Sequence, residues 1–358
     1  MTRRSSLVNA KIRDLLLTTF LAIFLGLFLS GLMILLLGKN PLTAFSVLFS
    51  SIFRDRYTVG EIFVKATPLI FTGLAFAFTF KASLFNIGAQ GQFYIGAVVA
   101  ATLSLLFPYR ITILLMLILV PLAGGAWGAL IGYAKSRFSA NEFLVSMMST
   151  YVALAIMNYL LRTHLMESKG EYPQTDSLVE KVWLPIFIPK TRLHLGFILA
   201  VIIAIAIWVL LYRTKFGFRL RAVGMNPDAA YMSGIKPGKL YVAAFFISGA
   251  LAGMAGLTEV NGVQHMLVQG FNPEIGAIGI GIAILANAHP IGIIFASILF
   301  GALQVGGTIM GQRSGIPSSI INLMHGYVMV FVIISYAIRS KMTIRRDKLR
   351  LQKETTQL

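Results

Sequence analysis

The stretch Leu193–Lys239 reads LHLGFILAVIIAIAIWVLLYRTKFGFRLRAVGMNPDAAYMSGIKPGK. Its first part, Leu193–Tyr212, is 20 residues without a charge. A helix rises about 1.5 Å per residue, so a run of that length covers the roughly 30 Å hydrocarbon core of a bilayer. The rest, Arg213–Lys239, sets six basic residues against the single acid Asp228. An apolar span followed by a basic loop is the pattern of a membrane protein whose inner loops meet anionic lipid.

The same pattern repeats outward from this stretch. Uncharged runs occur at Leu15–Leu37, Ala66–Phe80, Ala82–Tyr109, Ile111–Ala134, Phe143–Leu161, Leu240–Thr258, Ile275–Gln312 and Ser314–Ile338. The run Ile275–Gln312 holds 38 residues, enough for two elements, with a break at Ala288-His289-Pro290. The total is ten candidate spans, and the fold class is all-α, polytopic and membrane-embedded. Ala66–Phe80 has only 15 residues between Lys65 and Lys81, which suggests a broken or tilted element. The first run is 23 residues, longer than the 7–15 residues of a signal core, and reads as a permanent helix.

Composition agrees. The 358 residues are 57% hydrophobic and 12% charged, with a mean hydropathy of +0.79. Soluble domains are about 25% charged, so a soluble enzyme and a disordered chain are both excluded. Cysteine is absent, which removes disulfides, thiolate metal sites and a cysteine nucleophile. The net charge of +18 belongs to membrane-facing loops, and nucleic acid is not an expected partner. With both termini cytoplasmic, 20 of the 31 basic residues fall on inner segments and 11 on outer ones. This split follows the positive-inside rule. It places the long segment His164–Arg192 outside as a cap, and Arg213–Lys239 and the basic tail 339–358 inside. The whole chain, 1–358, reads as one transmembrane domain in a cell membrane.

Two places interrupt the apolar pattern with glycine and amides. The first is FNIGAQGQ, Phe85–Gln92; the second is GFNPEIGAIGIGIAILANAHP, Gly270–Pro290. Non-helical backbone at membrane depth is tolerated where it is buried in protein or lines a cavity. The alternative for the first is a turn between two ordinary spans. Paired interruptions in two halves of a transporter mark a binding site at a repeat interface, and an inverted repeat with discontinuous helices is expected. The candidate path residues are Phe85, Asn86, Gln90, Gln92, Phe93 and Asn287. They offer amides and rings but no carboxylate or lysine, which suits a neutral polar solute. Glu259 falls at the outer end of its span and reads as a hydrated loop carboxylate. Glycines at helical spacing (Gly124 and Gly128; Gly249, Gly253 and Gly256) read as helix-packing positions.

In the inner loop, Asn226-Pro227-Asp228 is a helix start: a polar cap, proline at the first position and an acid near the positive helix end. The spacing predicts a short helix from Pro227 to about Ser233, stopped by Gly234. Ala229 and Ala230 give it a small-residue face that suits docking into another protein.

These residues resemble the coupling segment of permease subunits of ATP-binding-cassette importers in the branched-chain amino acid, ribose and simple-sugar superfamily. That pattern is approximately T-x-x-G-x-x-x-R-A-V-G-x-N-x-x-A-A-x-x-x-G-I. Here Thr214, Gly217, Arg221, Ala222, Val223, Gly224, Asn226, Ala229, Ala230, Gly234 and Ile235 match it. FNIGAQGQ is similar to the FNIGAEGQ of the nucleoside and simple-sugar branch, with Gln90 where glutamate is usual. Ala140-Asn141-Glu142 and His289–Gly307 also look like that branch. The resemblance covers residues 60–335. It implies ATP-driven uptake of nucleosides or related sugars, with branched-chain amino acids or ribose as the alternative. It implies a coupling role for Arg221, Gly224, Asn226, Pro227, Ala229, Ala230 and Gly234. It also implies the partners: ABC ATPase subunits that bind the ATP, a second homologous permease, and an extracytoplasmic substrate-binding lipoprotein.

The chain itself carries no G-x-x-x-x-G-K-[ST] phosphate loop, so it is expected to have no cofactor and no catalysis of its own. An ion-coupled secondary transporter suits broken helices equally. It would want buried acids in the apolar runs and leaves the capped loop helix without a purpose. An intramembrane enzyme ranks last, since H-E-x-x-H is absent and the five histidines are scattered.

Overall fold

The computed structural model describes residues 20–356. It is helical throughout; the described residues form no strand, only isolated bridges at Gln174–Val268 and Ile186–His194. Among the described residues, eight helices are long and apolar enough to cross a membrane: α3 (Arg56–Phe80), α4 (Ala89–Leu106), α5 (Thr112–Phe138), α6 (Glu142–Leu161), α7 (Gly196–Arg213), α10 (Pro237–Glu259), α12 (Pro290–Ser314) and the apolar part of α13 (Ser318–Thr356). Three shorter apolar helices accompany them: α1 (Phe20–Leu36), α2 (Pro41–Ile52) and α11 (Ile275–Leu285). Lys215–Met225 forms α8 and Pro227–Met232 forms α9.

Each of the ten expected elements has a helix among the described residues, and α11 is short. The described part of the first run is α1; its opening residues 15–19 lie outside the described residues. The 38-residue run divides at Ala286–His289 as expected, and its first piece, α11, is 11 residues. That length rises only about 16 Å. The expectation of a broken helix at Ala66–Phe80 is corrected. α3 is a continuous 25-residue helix that starts ten residues before Ala66. Asp55 caps it by accepting from the Thr58 amide at 2.7 Å, and Glu61 and Lys65 lie within it. Charge near a helix end is compatible with a span when long side chains reach the interface, so an uncharged run understates its length. The tail, too, is helical: α13 continues without a break to Thr356.

The chain divides into two compact units, residues 1–51 with 306–358, and residues 52–305. In the first, α1 and α13 lie so close that a side chain at Gly26 would overlap the Val328 backbone. In the second, α10 is the central helix, packed on α3, α4 and α5, while α11 packs on α3. Gly249 of α10 meets the Gly124 backbone of α5, and Gly256 meets Phe93 and Ala97 of α4. Bare backbone at these crossings lets α10 sit against both neighbours, as the glycine spacing predicts. Lys135 and Glu142 pair at 2.9 Å across the α5–α6 turn, and Asn141 caps α6 through the Phe143 amide at 3.0 Å.

Beyond Glu259, α10 passes into a π-helical turn, Val260–Gln264. The segment before α7 folds over it. Thr175, Leu178 and Leu184 donate backbone amides to Leu267, His265 and Asn261. The Asn261 amide donates to Ser104 Oγ at 2.8 Å and to the Val182 carbonyl at 3.0 Å. This cover corrects the reading of Glu259 as a hydrated loop carboxylate. It is only 1% exposed, with Gln264 Nε2 at 3.5 Å.

Candidate functional site

The chain leaves the helix at Lys81 and re-enters it at Ala89. Between them the backbone turns back alongside α3. The Asn86 side chain donates to Ser248 Oγ at 2.8 Å, and that hydroxyl donates to the Ala75 carbonyl at 2.6 Å. Ala75 is six residues back from the α3 C-cap Lys81, so the Asn86 side chain is tied through Ser248 to the last turns of α3, while Ala89–Gln92 of FNIGAQGQ form the first turn of α4. Asn86 and Gln92 also bond each other, Nδ2 to Oε1 at 2.8 Å and Nε2 to Oδ1 at 3.3 Å. Asn86, Gln92 and Ser248 are fully buried. Their mutual pairing is what makes these buried polar side chains tolerable there.

The two interruptions meet. Gln90 Nε2 donates to the Asn272 carbonyl at 2.9 Å, and the Gly276 amide donates to Gln90 Oε1 at 2.7 Å. The Phe93 ring stacks on Phe271 with centroids 5.1 Å apart. Of the six path candidates, Asn86, Gln90, Gln92 and Phe93 are thus buried and engaged with the chain itself. Phe85 and Asn287 remain exposed. The Phe85 ring stands edge-on to Phe80 at 5.7 Å and near Phe76 at 6.2 Å.

The α8–α9 segment closes on the same region. Thr214 caps α8: its hydroxyl donates to the Leu210 carbonyl and accepts from the Gly217 amide at 3.1 Å. Asn226 caps α9, accepting from the Asp228 and Ala229 amides, each at 3.0 Å. Pro227 is the first residue of α9, and Gly234, at φ +79°, ends its turn in the left-handed region. The helix start, short length and glycine stop are as read from sequence. The preceding α8 was not expected; its mixed basic and apolar composition resembles a loop. Ala230 is buried, whereas Ala229 is exposed beside Met225, Tyr231 and Met232. The outward surface is therefore one alanine framed by large side chains.

Gly224 holds this segment against the first interruption. Its Cα lies against the Lys81 carbonyl with no room for a Cβ. The Ser83 hydroxyl donates to the Gly224 carbonyl at 2.6 Å. Lys81 Nζ donates to the Asn287 carbonyl at 3.3 Å, which ties in the far end of α11. The Arg221 guanidinium sits 5.0 Å over the Tyr212 ring, and that ring stacks on His289 at 5.7 Å. Burial, with Arg221 adding to it, lowers the Lys81 ammonium from its ordinary value; burial and then Lys81 lower His289. So α8, the α3–α4 interruption and the α11–α12 interruption converge on one basic junction. Sequence reasoning missed Lys81, Ser83, Tyr212 and Ser248. Only Lys81 left a signal, as a lone charge between two apolar runs.

A polytopic helical chain with two facing interruptions and a capped helix pair between long apolar helices is a multi-pass membrane protein of transporter-like build. The chain belongs to the family described as branched-chain amino acid transport system / permease component, which matches residues 58–333. It is 36% identical over 330 residues to the guanosine ABC transporter permease protein NupP of Bacillus subtilis, covering 90% of this chain and 94% of that one. It is 30% identical to the nucleoside ABC transporter permease protein NupB of Lactococcus lactis, over 92% of this chain and 94% of that one. It is also 30% identical to the glucose ABC transporter permease protein TsgB13 of Haloferax volcanii, over 89% and 87%. No solved structure matches the chain.

Proposed function

We propose that this chain is one permease subunit of an ATP-driven importer that carries nucleosides across a cell membrane. The observation that supports this most is the similarity to guanosine and nucleoside permeases over nine-tenths of the chain. In this reading ABC ATPase subunits dock on the α8–α9 surface through Met225, Ala229, Tyr231 and Met232. Arg221, Gly224, Asn226, Pro227, Ala230 and Gly234 hold that surface in shape. ATP is bound by the partners, and this chain needs no cofactor. A second homologous permease completes the path, and an external lipoprotein delivers solute. The α8–α9 side and both termini face the cytoplasm. Phe85 and Asn287 line the path in the present conformation, with Asn86, Gln90, Gln92 and Phe93 shaping the wall behind them. An exposed ring and amide suit stacking on a base and bonding to hydroxyls.

The test is ATP-dependent uptake by the reconstituted complex, offered labelled guanosine, ribose, glucose and leucine in parallel. Saturable guanosine uptake, competed by other nucleosides, supports the assignment. Uptake of glucose or ribose alone moves the chain to the sugar permeases, and leucine alone to the amino acid permeases.

A further inference from the structure

α11 has a poorly defended start. The first amides of a helix have no partner within it and need an acceptor. Its own cap residue, Glu274, supplies no side-chain bond. The helix is short and carries Gly276, Gly279 and Gly281, so its intrinsic tendency to stay helical is weak. The loop before it includes Gly270 at φ +74° and Asn272 at φ +44°. The missing acceptor comes from a helix 186 residues away: Gln90 Oε1 takes the Gly276 amide at 2.7 Å. The other end of the same amide donates to the Asn272 carbonyl at 2.9 Å. There is no room between the two helices, since a Cβ at Gly276 would lie 2.8 Å from Gln90 Cβ. Phe271, 5% exposed, packs beside this contact on Phe93 and Tyr94.

We propose that Gln90 is the positioning residue of α11: it caps that half-helix from α4 and clips its leading loop, so that the two interruptions move as one body. The solute is not its partner. Both polar ends of its side chain are taken by backbone, and the residue is 8% exposed. The other end of α11 is held at the Asn287 carbonyl by Lys81. Movement that reaches the α3–α4 interruption from α8 is then passed to α11 at both ends. This inference rests on the permease reading for its transport arm, while its labelling arm stands without it.

The experiment uses the complete importer, with a reporter cysteine at Ile275, which is 8% exposed in a chain that has no cysteine of its own. Gln90→Met keeps the side-chain length and removes both hydrogen bonds. Gln90→Glu keeps the acceptor for Gly276 and, with its buried carboxyl protonated, an O–H that can donate to the Asn272 carbonyl. The proposal expects Ile275→Cys to react with a small maleimide about tenfold faster in Gln90→Met, as losing a buried bond pair implies. In Gln90→Glu it stays within about threefold of the parent. Maximal uptake falls in Gln90→Met, is restored by Gln90→Glu, and half-saturation is unchanged in both. Should Gln90→Met fail to accumulate, Gln90→Ala replaces it in the same comparison. Parent-like labelling in Gln90→Met overturns the proposal, as does loss of uptake in both variants without a labelling change. If labelling responds as expected but no nucleoside is carried, the solute assignment fails and the positioning role holds.

Discussion

The Ser83 hydroxyl donates to the Gly224 carbonyl at 2.6 Å, joining residues 141 apart in sequence. One lies just after α3, where the chain turns back along that helix; the other lies in the last turn of α8. Because Gly224 has no side chain, α8 rests directly on the Lys81 and Ala82 backbone. Backbone of α8 therefore meets backbone of the α3–α4 connection, without a flexible side chain between.

The two alanines of α9 separate by burial. Ala230→Trp introduces a large ring at a buried position and is expected to cost about 1–3 kcal/mol of stability. Ala229→Trp lies outside and should leave the thermal midpoint of the purified chain within about 1 °C, while abolishing co-purification of the ATPase subunit. Retention of that subunit by Ala229→Trp would show that the docking surface lies elsewhere.

The buried amides and the exposed ring should also behave differently. Asn86→Leu leaves Gln92 and Ser248 with lost partners, at about 1–3 kcal/mol, and lowers the unfolding midpoint in detergent. Phe85→Ala loses edge contacts worth about 1 kcal/mol and should lower uptake by more than it lowers the midpoint. Equal stability of Asn86→Leu and the parent contradicts the network described for it.

His194 sits before α7 with its Nδ1 accepting from the Gly196 amide at 3.2 Å. Its Nε2 has no partner among the described residues, and the ring packs against Gly262. Burial, followed by His265 and Arg192, pushes the imidazole down to about 4. The folded chain thus holds it neutral while the unfolded chain protonates near the ordinary 6.5. Its contribution is complete above that value and is lost as pH falls toward about 4, a change of about 3 kcal/mol. Thermal unfolding from pH 7.5 down to 4.5 should be steeper for the parent than for His194→Gln. Parallel curves argue against a buried neutral His194.

Orientation is testable because the chain has no cysteine. Ser177 and Ser233 are both exposed. A cysteine at 177 should label with an impermeant reagent on intact cells, and one at 233 only after lysis. The reverse result inverts the topology.

How much of this was legible depended on range along the chain. The α9 start was readable because Asn226, Pro227 and Asp228 act on amides two and three residues away. The two interruptions were readable because glycines and amides stand out in apolar surroundings. That Asn86 reaches Ser248, and Gln90 reaches Asn272 and Gly276, was not readable, since these partners lie 162 to 186 residues away. Four of the six path candidates proved to be occupied by the chain itself, Gln92 by a near neighbour and the others in part by distant segments. The length of α3 was hidden by Glu61 and Lys65, and the burial of Glu259 depends on tertiary packing that its place at the end of an apolar run does not show.

The central claim is that α8 and α9 drive the two interruptions through the Ser83–Gly224 contact. Its most direct measure is the coupling ratio, solute carried per ATP hydrolysed, in proteoliposomes of the complete importer. Ser83→Ala removes the hydrogen bond, and Gly224→Ala forces a methyl group against the Lys81 carbonyl. Ser83→Ala should assemble and hydrolyse ATP at about the parent rate, with the ratio lowered about three- to tenfold, while Gly224→Ala, which must shift backbone, should lower both the ratio and the yield of assembled complex. A parent-like ratio in both would contradict the account.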